Sequence, residues 1–400
     1  MIEPIDGGVT AAAGFLAAGT ACGIKPEGLD VALIVCDAPA SAAGLFTTNL
    51  TRAAPVTLSV EHLARTHGLA TAIVVNSGCA NACTGEPGVA VAREMAAETA
   101  RSVACPVEQV LVASTGLIGL TPDVSKVKAG IASAVQALGR EGHRDAAEAI
   151  MTTDRGPKEA AVRISTPAGA FHIGGMVKGA GMIEPQMATM LAFVTTDARI
   201  DATLLRRGLA EAVDETFNAI TVDADRSTND SVFALAGGAS RVQVDTAVYP
   251  AFAGGLRHVC LELALGIVRG GEGATKLIAV RATGAQSVAD ARQVARTIAN
   301  SPLVKTAVHG GDPNWGRLMA AAGRAGVAFD PSRASIKIGP AVLYRAERAF
   351  SDQEPLAAAH LHGPEVEIEV DLGTGGNHGA TIWTCDLSAE YVRINADYRT

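Results

Sequence analysis

Short runs of β-branched and aliphatic residues punctuate this chain. Between them lie longer stretches whose apolar positions recur every three or four residues. Val31–Cys36, Ala72–Val75 and Val110–Ala113 read as strands, and Gly88–Val103 and Asp123–Gly139 as helices. The second helix carries a start signal, since Thr121 or Asp123 can cap it and Pro122 suits its first turn. Ala170–Val177 and Met190–Thr195 supply strands on either side of a glycine-rich turn. Leu204–Ile220 is amphipathic, with Arg206, Arg207, Glu211 and Glu215 on one side. Beyond Gly237 the pattern predicts a helix over Tyr249–Val268, a strand over Lys276–Arg281 and a helix over Ser287–Asn300. Further strands are predicted at Val304–Val308, Ala334–Ile338, Val366–Asp371 and Ala380–Asp386. Strands and helices in mixed order, with no internal repeat or low-complexity linker, predict layered α/β or α+β architecture. Periodicity leaves the topology open.

Composition narrows the class. Four hundred residues, 48% of them apolar, suffice for two or three cores, and only 4% are aromatic, so small residues must pack closely. A net charge of −8 with no basic cluster argues against nucleic acid as a partner. The longest apolar runs are interrupted short of a membrane span, so no membrane is expected. Glu3 and Asp6 with no basic lead-in argue against Ala11–Ala18 as a secretion signal, which leaves the cytoplasm. Seven scattered cysteines suit free thiols in a reducing compartment. Cys79 and Cys83 are four apart, but no second close Cys/His pair accompanies them; small apolar side chains is the better reading, and no metal site is expected. The nine histidines are dispersed, with no His-Glu-x-x-His and no nucleophile-elbow motif. Gly270–Lys276 lacks the spacing of a phosphate loop.

One segment carries chemistry. Lys178-Gly-Ala-Gly-Met-Ile-Glu-Pro-Gln-Met-Ala-Thr189 places a threonine near mid-chain, after small Ala188 and ahead of a strand-like run. A self-cleaving precursor needs this: the hydroxyl attacks the preceding carbonyl, the chain breaks and the threonine becomes a new N-terminus. Its α-amine, with an unperturbed pKa of about 7.7–8.0, can then serve as base for its own hydroxyl. Gly179, Gly181 and Pro185 allow unusual backbone around the scissile bond. From the residues alone, plain strand structure is the favoured reading, because a threonine opening a β-strand is commonplace.

Resemblance decides between those readings. Lys178–Thr189 and the following Met-Leu-Ala-Phe-Val-Thr-Thr-Asp197 resemble the cleavage-site segment of the ornithine acetyltransferase family, the bifunctional glutamate N-acetyltransferases of arginine biosynthesis. Gly14–Lys25, Phe46–Asn49 with Ala54-Pro-Val56, Val74–Gly78, Ala113–Gly119 and Met151-Thr-Thr-Asp154 are similar to its N-terminal half. Ser227-Thr-Asn-Asp230, Gly271–Lys276, Asp312–Arg317 and Tyr391–Thr400 are similar to its C-terminal half, in the same order. The resemblance implies an αββα sandwich carrying the nucleophile over residues 1–240, and a smaller C-terminal α/β domain over 241–400. It also implies cleavage between Ala188 and Thr189 into chains 1–188 and 189–400, assembled as an α2β2 heterotetramer.

The same resemblance assigns residues. Thr189 matches the nucleophile, which would take acetyl from N-acetylornithine and pass it to glutamate through an acyl-threonine. Thr115 and Gly116 match the oxyanion hole; unaided, they read as a strand-ending turn. Thr152 (adjoined by Thr153), Lys178, Glu272, Asn395 and Thr400 match substrate contacts, with Lys178 suited to a carboxylate and Glu272 to the cationic amine of ornithine. Thr400 at the site implies a buried C-terminus. No metal or organic cofactor is implied, and acetyl-CoA is an alternative donor in bifunctional members. The chain departs from the family pattern at Cys79, at Asp223-Ala-Asp-Arg226, at Gly270 and at His309-Gly-Gly311. The missing Asp at Gly270 would reduce negative charge near Glu272 and weaken selection for a cationic donor. Two alternatives remain: an N-terminal-threonine aminopeptidase or amidase releasing the acyl group to water, and a degenerate homologue that folds without turning over.

Overall fold

The structure, a computed structural model, describes residues 1–184 and 190–397. Chain contacts divide it into two compact units. Among the described residues, the first takes those within 1–218 and 226–267, and the second takes 219–225 and 268–397. The expected division at residue 240 stands beside an observed one near the end of a long helix.

The first unit holds strands β1 (Ile2–Ile5), β2 (Phe15–Thr20), β3 (Val31–Phe46), β4 (Leu69–Asn76), β5 (Val110–Ser114), β6 (Lys158–Thr166), β7 (Gly169–Lys178), β8 (Leu191–Thr196) and β9 (Ser231–Ala236). Its helices are α1 (Ala54–Arg65), α2 (Gly85–Val103), α3 (Val124–Ala137), α4 (His143–Ala149), α5 (Ala202–Glu215) and α6 (Tyr249–Arg269). The strands form one sheet in the order β1-β6-β7-β8-β9-β3-β4-β5, with β2 also beside β3. β4 runs parallel to β5 and β8 parallel to β9, and the other pairs are antiparallel. β3 is the seam: its first half pairs with β2 and its second half with β9, and its register against β4 shifts between Val35 and Ala40.

Alternation along the strands sorts their side chains into layers. Val31, Leu33, Ala72, Val74, Val110 and Val112 face outward against Met95 of α2 and Val127 and Ile131 of α3. Ile34, Ile73 and Leu111 face inward and share one cluster with Met176, Leu191, Phe193 and Phe233 from the other part of the sheet. Phe193 and Phe233 stack there at 5.9 Å between ring centroids. On the opposite outer side, Gly255 of α6 meets Ile164 and Ile173, and Gly175 meets Val259 and Leu263. The result is an αββα sandwich.

The second unit is a two-layer α/β fold. Strands β10 (Leu277–Ala285), β11 (Ser335–Ile338), β12 (Ala341–Arg345), β13 (Arg348–Ala349), β14 (Glu365–Asp371) and β15 (His378–Cys385) form a sheet in the order β13-β12-β11-β14-β10-β15. Helices α7 (Val288–Ala299), α8 (Pro302–His309), α9 (Trp315–Gly323) and α10 (Glu354–Leu361) cover the face bearing Ile278, Val280, Ile336, Val366 and Ile368. A last helix, α11, spans Ala389–Asp397.

Two expectations need correction. Val304–Val308, predicted as a strand, lies within helix α8. Its β-branched residues are overridden by Pro302 in the first turn and by packing of Val304 and Val308 into the core. The helix expected over Leu204–Ile220 stops at Glu215, and Thr216 leaves helical geometry at φ −124°, ψ −83°. Helix α6 has the length and mean hydropathy of a membrane span, although Arg257, His258 and Glu262 interrupt its apolar run. Half of its most apolar window is buried in the protein, with Phe252, Val259, Leu263 and Ile267 at 1% exposure or less, so it is a core helix here. The start of α3 follows Asp123, whose carboxylate accepts from the Ser125 and Lys126 amides, and Pro122 therefore precedes the helix.

Truncating the stacked ring, Phe233→Ala, should cost about 3–5 kcal/mol. The measurement is a shift of the chemical-denaturation midpoint, and a change within error would contradict the shared inner core.

Candidate active site

Strand β5 ends at Ser114, and the chain turns at once through Thr115 and Gly116. Buried polar groups hold that turn. Ser114 Oγ donates to Asn76 Oδ1 at 2.6 Å, and the Thr115 amide donates to the Asn76 carbonyl at 3.0 Å. Asn229 Nδ2 donates to the carbonyls of Ser114 (2.8 Å) and Ala80 (2.6 Å). Gly116 sits at φ +124°, and a Cβ there would lie 2.3 Å from the Gly78 carbonyl carbon and 2.6 Å from the Cys79 nitrogen. Only glycine fits.

Lys178, the last residue of β7, reaches this turn. Its side chain is 4% exposed and its Nζ donates to Thr115 Oγ1 at 3.1 Å. Because the ammonium occupies an acceptor position of Thr115, the threonine hydroxyl keeps its own proton to donate elsewhere. Such a donor is what a developing oxyanion requires.

Asp154 lies near enough to Lys178 for the two charges to act on each other. Its side chain is fully buried, pairs with Lys158 and accepts from the Gly179 amide at 2.8 Å. Burial pushes the Asp154 carboxyl up, but the Lys178 and Lys158 ammoniums and the Gly179 amide outweigh it, and the group stays below the usual carboxylate range. Thr152 belongs to the same corner, its amide donating to Asp154 Oδ2 at 3.1 Å; Thr152 and Thr153 are both half-buried.

The β7–β8 register matters for the remaining residues. Lys178 pairs directly with Leu191, so the connection between them leaves and re-enters the sheet at the same end. Ala188 and Thr189 lie on that connection, outside the described residues. Met190, the first described residue after them, is buried, and its amide donates to Asp230 Oδ1 at 2.9 Å. Burial pushes the Asp230 carboxyl well above its ordinary range, against the Met190 amide and Lys178, which favour the charged form.

In the second unit, Glu272 is 8% exposed and accepts from Asn395 Nδ2 at 2.8 Å, although Asn395 itself is exposed. Gly273 lets α11 approach: at φ +69°, its Cβ would fall 2.4 Å from the Tyr391 nitrogen, and Ser388 Oγ donates to its carbonyl at 2.6 Å. Burial pushes the Tyr391 phenol up, helped by the carboxylates of Asp223 and Glu272. Asp386 accepts from the Thr275 and Lys276 amides at 2.7 and 2.9 Å, and His309 Nδ1 lies 2.7 Å from its Oδ2. His309, one of the departures from the family pattern, therefore braces the glycine-rich loop around Glu272. Thr400 lies outside the described residues. Among the described residues, no three His, Cys, Asp or Glu side chains are placed to share a metal ion. Cys79 is buried, its Sγ donating to the Leu120 carbonyl, whereas Cys83 is exposed; all seven cysteines are unpaired.

The sequence profile of the ArgJ family matches residues 16–400. The chain belongs to the ArgJ family. It is 50% identical to the arginine biosynthesis bifunctional protein ArgJ of Symbiobacterium thermophilum over the full length of both chains. Identity to the protein of the same name from Gloeobacter violaceus is 48%, over 100% of this chain and 99% of that one. The solved ArgJ structure from Bacillus halodurans is 43% identical and superimposes with a TM-score of 0.50, covering 98% of its own chain and 52% of this one.

Within this ArgJ chain, Asp154, Asn229, Asp230 and Asp386 were not singled out from the sequence as site residues. Three of them sit inside the Met-Thr-Thr-Asp154 and Ser-Thr-Asn-Asp230 segments, and the signal is that each is a polar residue buried beside apolar strands. A test follows for Asp154. A carboxyl held below its ordinary pKa of about 3.9 stabilises the fold fully above that value, and the contribution is lost as pH falls through its own lower value. Asp154→Asn should therefore show a smaller decline in Tm than wild type below about pH 4. Parallel declines in the two proteins would contradict the pairing.

Proposed function

We propose that this protein is an ornithine acetyltransferase of arginine biosynthesis, moving acetyl from N-acetylornithine to glutamate through a threonine made N-terminal by self-cleavage. The observation that carries this reading is the Lys178–Thr115 contact at 3.1 Å. It sits at the end of the sheet to which the Ala188–Thr189 connection returns.

Thr189 is the nucleophile. Its α-amine takes the hydroxyl proton as the oxygen attacks the acetyl carbonyl, and the resulting oxyanion accepts from the Thr115 hydroxyl and the Gly116 amide. Collapse expels ornithine, which receives the proton, and leaves acetyl-Thr189. Glutamate then attacks the ester and departs as N-acetylglutamate. Lys178 supplies positive charge for a substrate carboxylate, with the Asp154 charge near it. Thr152, Glu272, Asn395 and Thr400 are assigned to substrate recognition, Glu272 toward the cationic amine of ornithine. Acetyl-CoA is the alternative donor, and no bound cofactor enters these steps.

The solved Bacillus halodurans chain supports cleavage. It is matched over nearly all of its own length yet covers about half of this one, the share that a cut at 188/189 leaves in either piece. The mature protein is then two chains, 1–188 and 189–400, assembled as an α2β2 heterotetramer in the cytoplasm.

Intact mass of freshly purified protein should give two fragments splitting at Ala188–Thr189, and Thr189→Ala should give one uncut chain. A single uncut wild-type chain would sink the reading. Thr115→Val should lower kcat for acetyl exchange by about 10²–10³-fold with Tm little changed. Undiminished turnover would remove Thr115 from the oxyanion hole.

A further inference from the structure

The second half of β3 borders a cavity that the chemistry at Thr115 and Lys178 does not use. Alternation along the strand puts Ala42, Gly44 and Phe46 on one face, and two of these three are too small to fill the space beside them. Helix periodicity supplies the walls. Leu63 and Ala64 come from α1, and Ala202 and Arg206, four apart on one face of α5, line the same space. The walls meet where α1 has ended and α5 begins, since a Cβ on Gly68 would lie 2.7 Å from the Ala202 Cβ. The cavity measures about 420 Å³, within the range of small-molecule sites.

Its chemistry is one-sided. Among the described residues, its polar side chains are Arg206, Thr203 and His67, and no carboxylate lines it. Arg206 has no ion-pair or hydrogen-bond partner among them, whereas the adjacent Arg207 pairs with Glu211. Acidic residues close by in sequence are committed elsewhere: Glu61 pairs with Arg65, and Asp201 accepts from the Leu204 amide. An uncompensated guanidinium beside open apolar surface selects a ligand with an anionic head and an apolar body, and its planar fork matches a carboxylate.

We propose that this cavity is a separate binding site for a free aliphatic carboxylate of medium length. The alkyl chain lies over Gly44 and Phe46 against Leu63 and Ala64, and the carboxylate accepts from the Arg206 guanidinium and the Thr203 hydroxyl. Removal of the alkyl chain from water supplies the affinity, while the ion pair sets orientation and excludes cations. An isologous contact with a second copy of the chain, centred here, would set Arg206 against its own equivalent, an unfavourable pairing. Every residue of the site belongs to the first unit, and the assignment is independent of the acetyl-transfer reading.

The test is calorimetric titration of the whole protein with octanoate, 1-octanol and octylammonium, in wild type, Arg206→Gln and Ala64→Phe, with sedimentation velocity on each. Arg206 and Ala64 are both exposed, so both variants should fold with Tm little changed. Octanoate should bind wild type about tenfold or more tightly than 1-octanol, with octylammonium weaker still. Arg206→Gln should erase the preference for octanoate over 1-octanol. Ala64→Phe, which fills the cavity from the α1 side, should weaken both by about tenfold. The proposal is overturned if octanoate fails to bind wild type at millimolar concentration, or if octylammonium binds as tightly. Binding that both variants leave unchanged also overturns it, marking adsorption elsewhere on the protein. A dimer lost in Ala64→Phe, without octanoate binding to wild type, would make this face a contact between copies of the chain and overturn it too. Should Ala64→Phe lower Tm, the Arg206→Gln protein decides: an octanoate preference equal to that of wild type removes the assignment.

Discussion

Everything at the candidate site of the first unit depends on a buried carboxylate between two ammonium groups. Asp154 has no exposed side-chain surface, and alone it would be neutral in that position. Lys158 and Lys178 keep it charged, and its charge in turn favours the Lys178 ammonium at 4% exposure. Removing one partner of such a set leaves an uncompensated buried charge, which costs far more than the set itself contributes. The arrangement therefore serves geometry above stability. It places a positive charge against Thr115 Oγ1, directs the threonine hydroxyl proton outward, and does so at the end of β7 where the chain returns to begin β8.

Around that charge the protein relies on close backbone approach. The turn at Gly116 passes so near Gly78 and Cys79 that any side chain would collide with the backbone, and Asn76, Ser114 and Asn229 satisfy the polar groups this compression buries. The second unit repeats the strategy at Gly273, where α11 comes within contact of the loop and Asn395 meets Glu272. A low aromatic content and abundant Ala and Gly, evident in the composition, are what such closeness requires.

Some departures from the family pattern acquire a physical account. His309 braces Asp386, which holds the Thr275 and Lys276 amides, so the substitution there remains tied to the loop bearing Glu272. Cys79 keeps a polar contact through its thiol, and its carbonyl accepts from Asn76 Nδ2 at 2.9 Å. Asp223 accepts from the Tyr391 hydroxyl at 3.3 Å, joining the 223–226 departure to the helix that carries Asn395. Nothing in the structure explains Gly270.

Local chemistry made much of this legible. The strands at Val31–Cys36, Val110–Ala113 and Ala170–Val177, the Asp123 cap and the α7 helix follow from side-chain period and capping, which depend only on near neighbours in the chain. Thr115, Gly116, Lys178 and Glu272 were legible through motifs, because their residue types recur in order along a related family. Helix α8 was not, since its β-branched residues favour a strand until Pro302 and the core beneath Val304 and Val308 are taken into account. Asp154 and Asp230 were present in quoted motifs but carried no assigned role, because a carboxylate in sequence has no burial and no partners. By itself the sequence determined which residues could do the chemistry. Only the tertiary structure decided which of them share a dry corner, because desolvation and charge pairing are properties of what surrounds an atom, and those surroundings come from strands far apart in the chain.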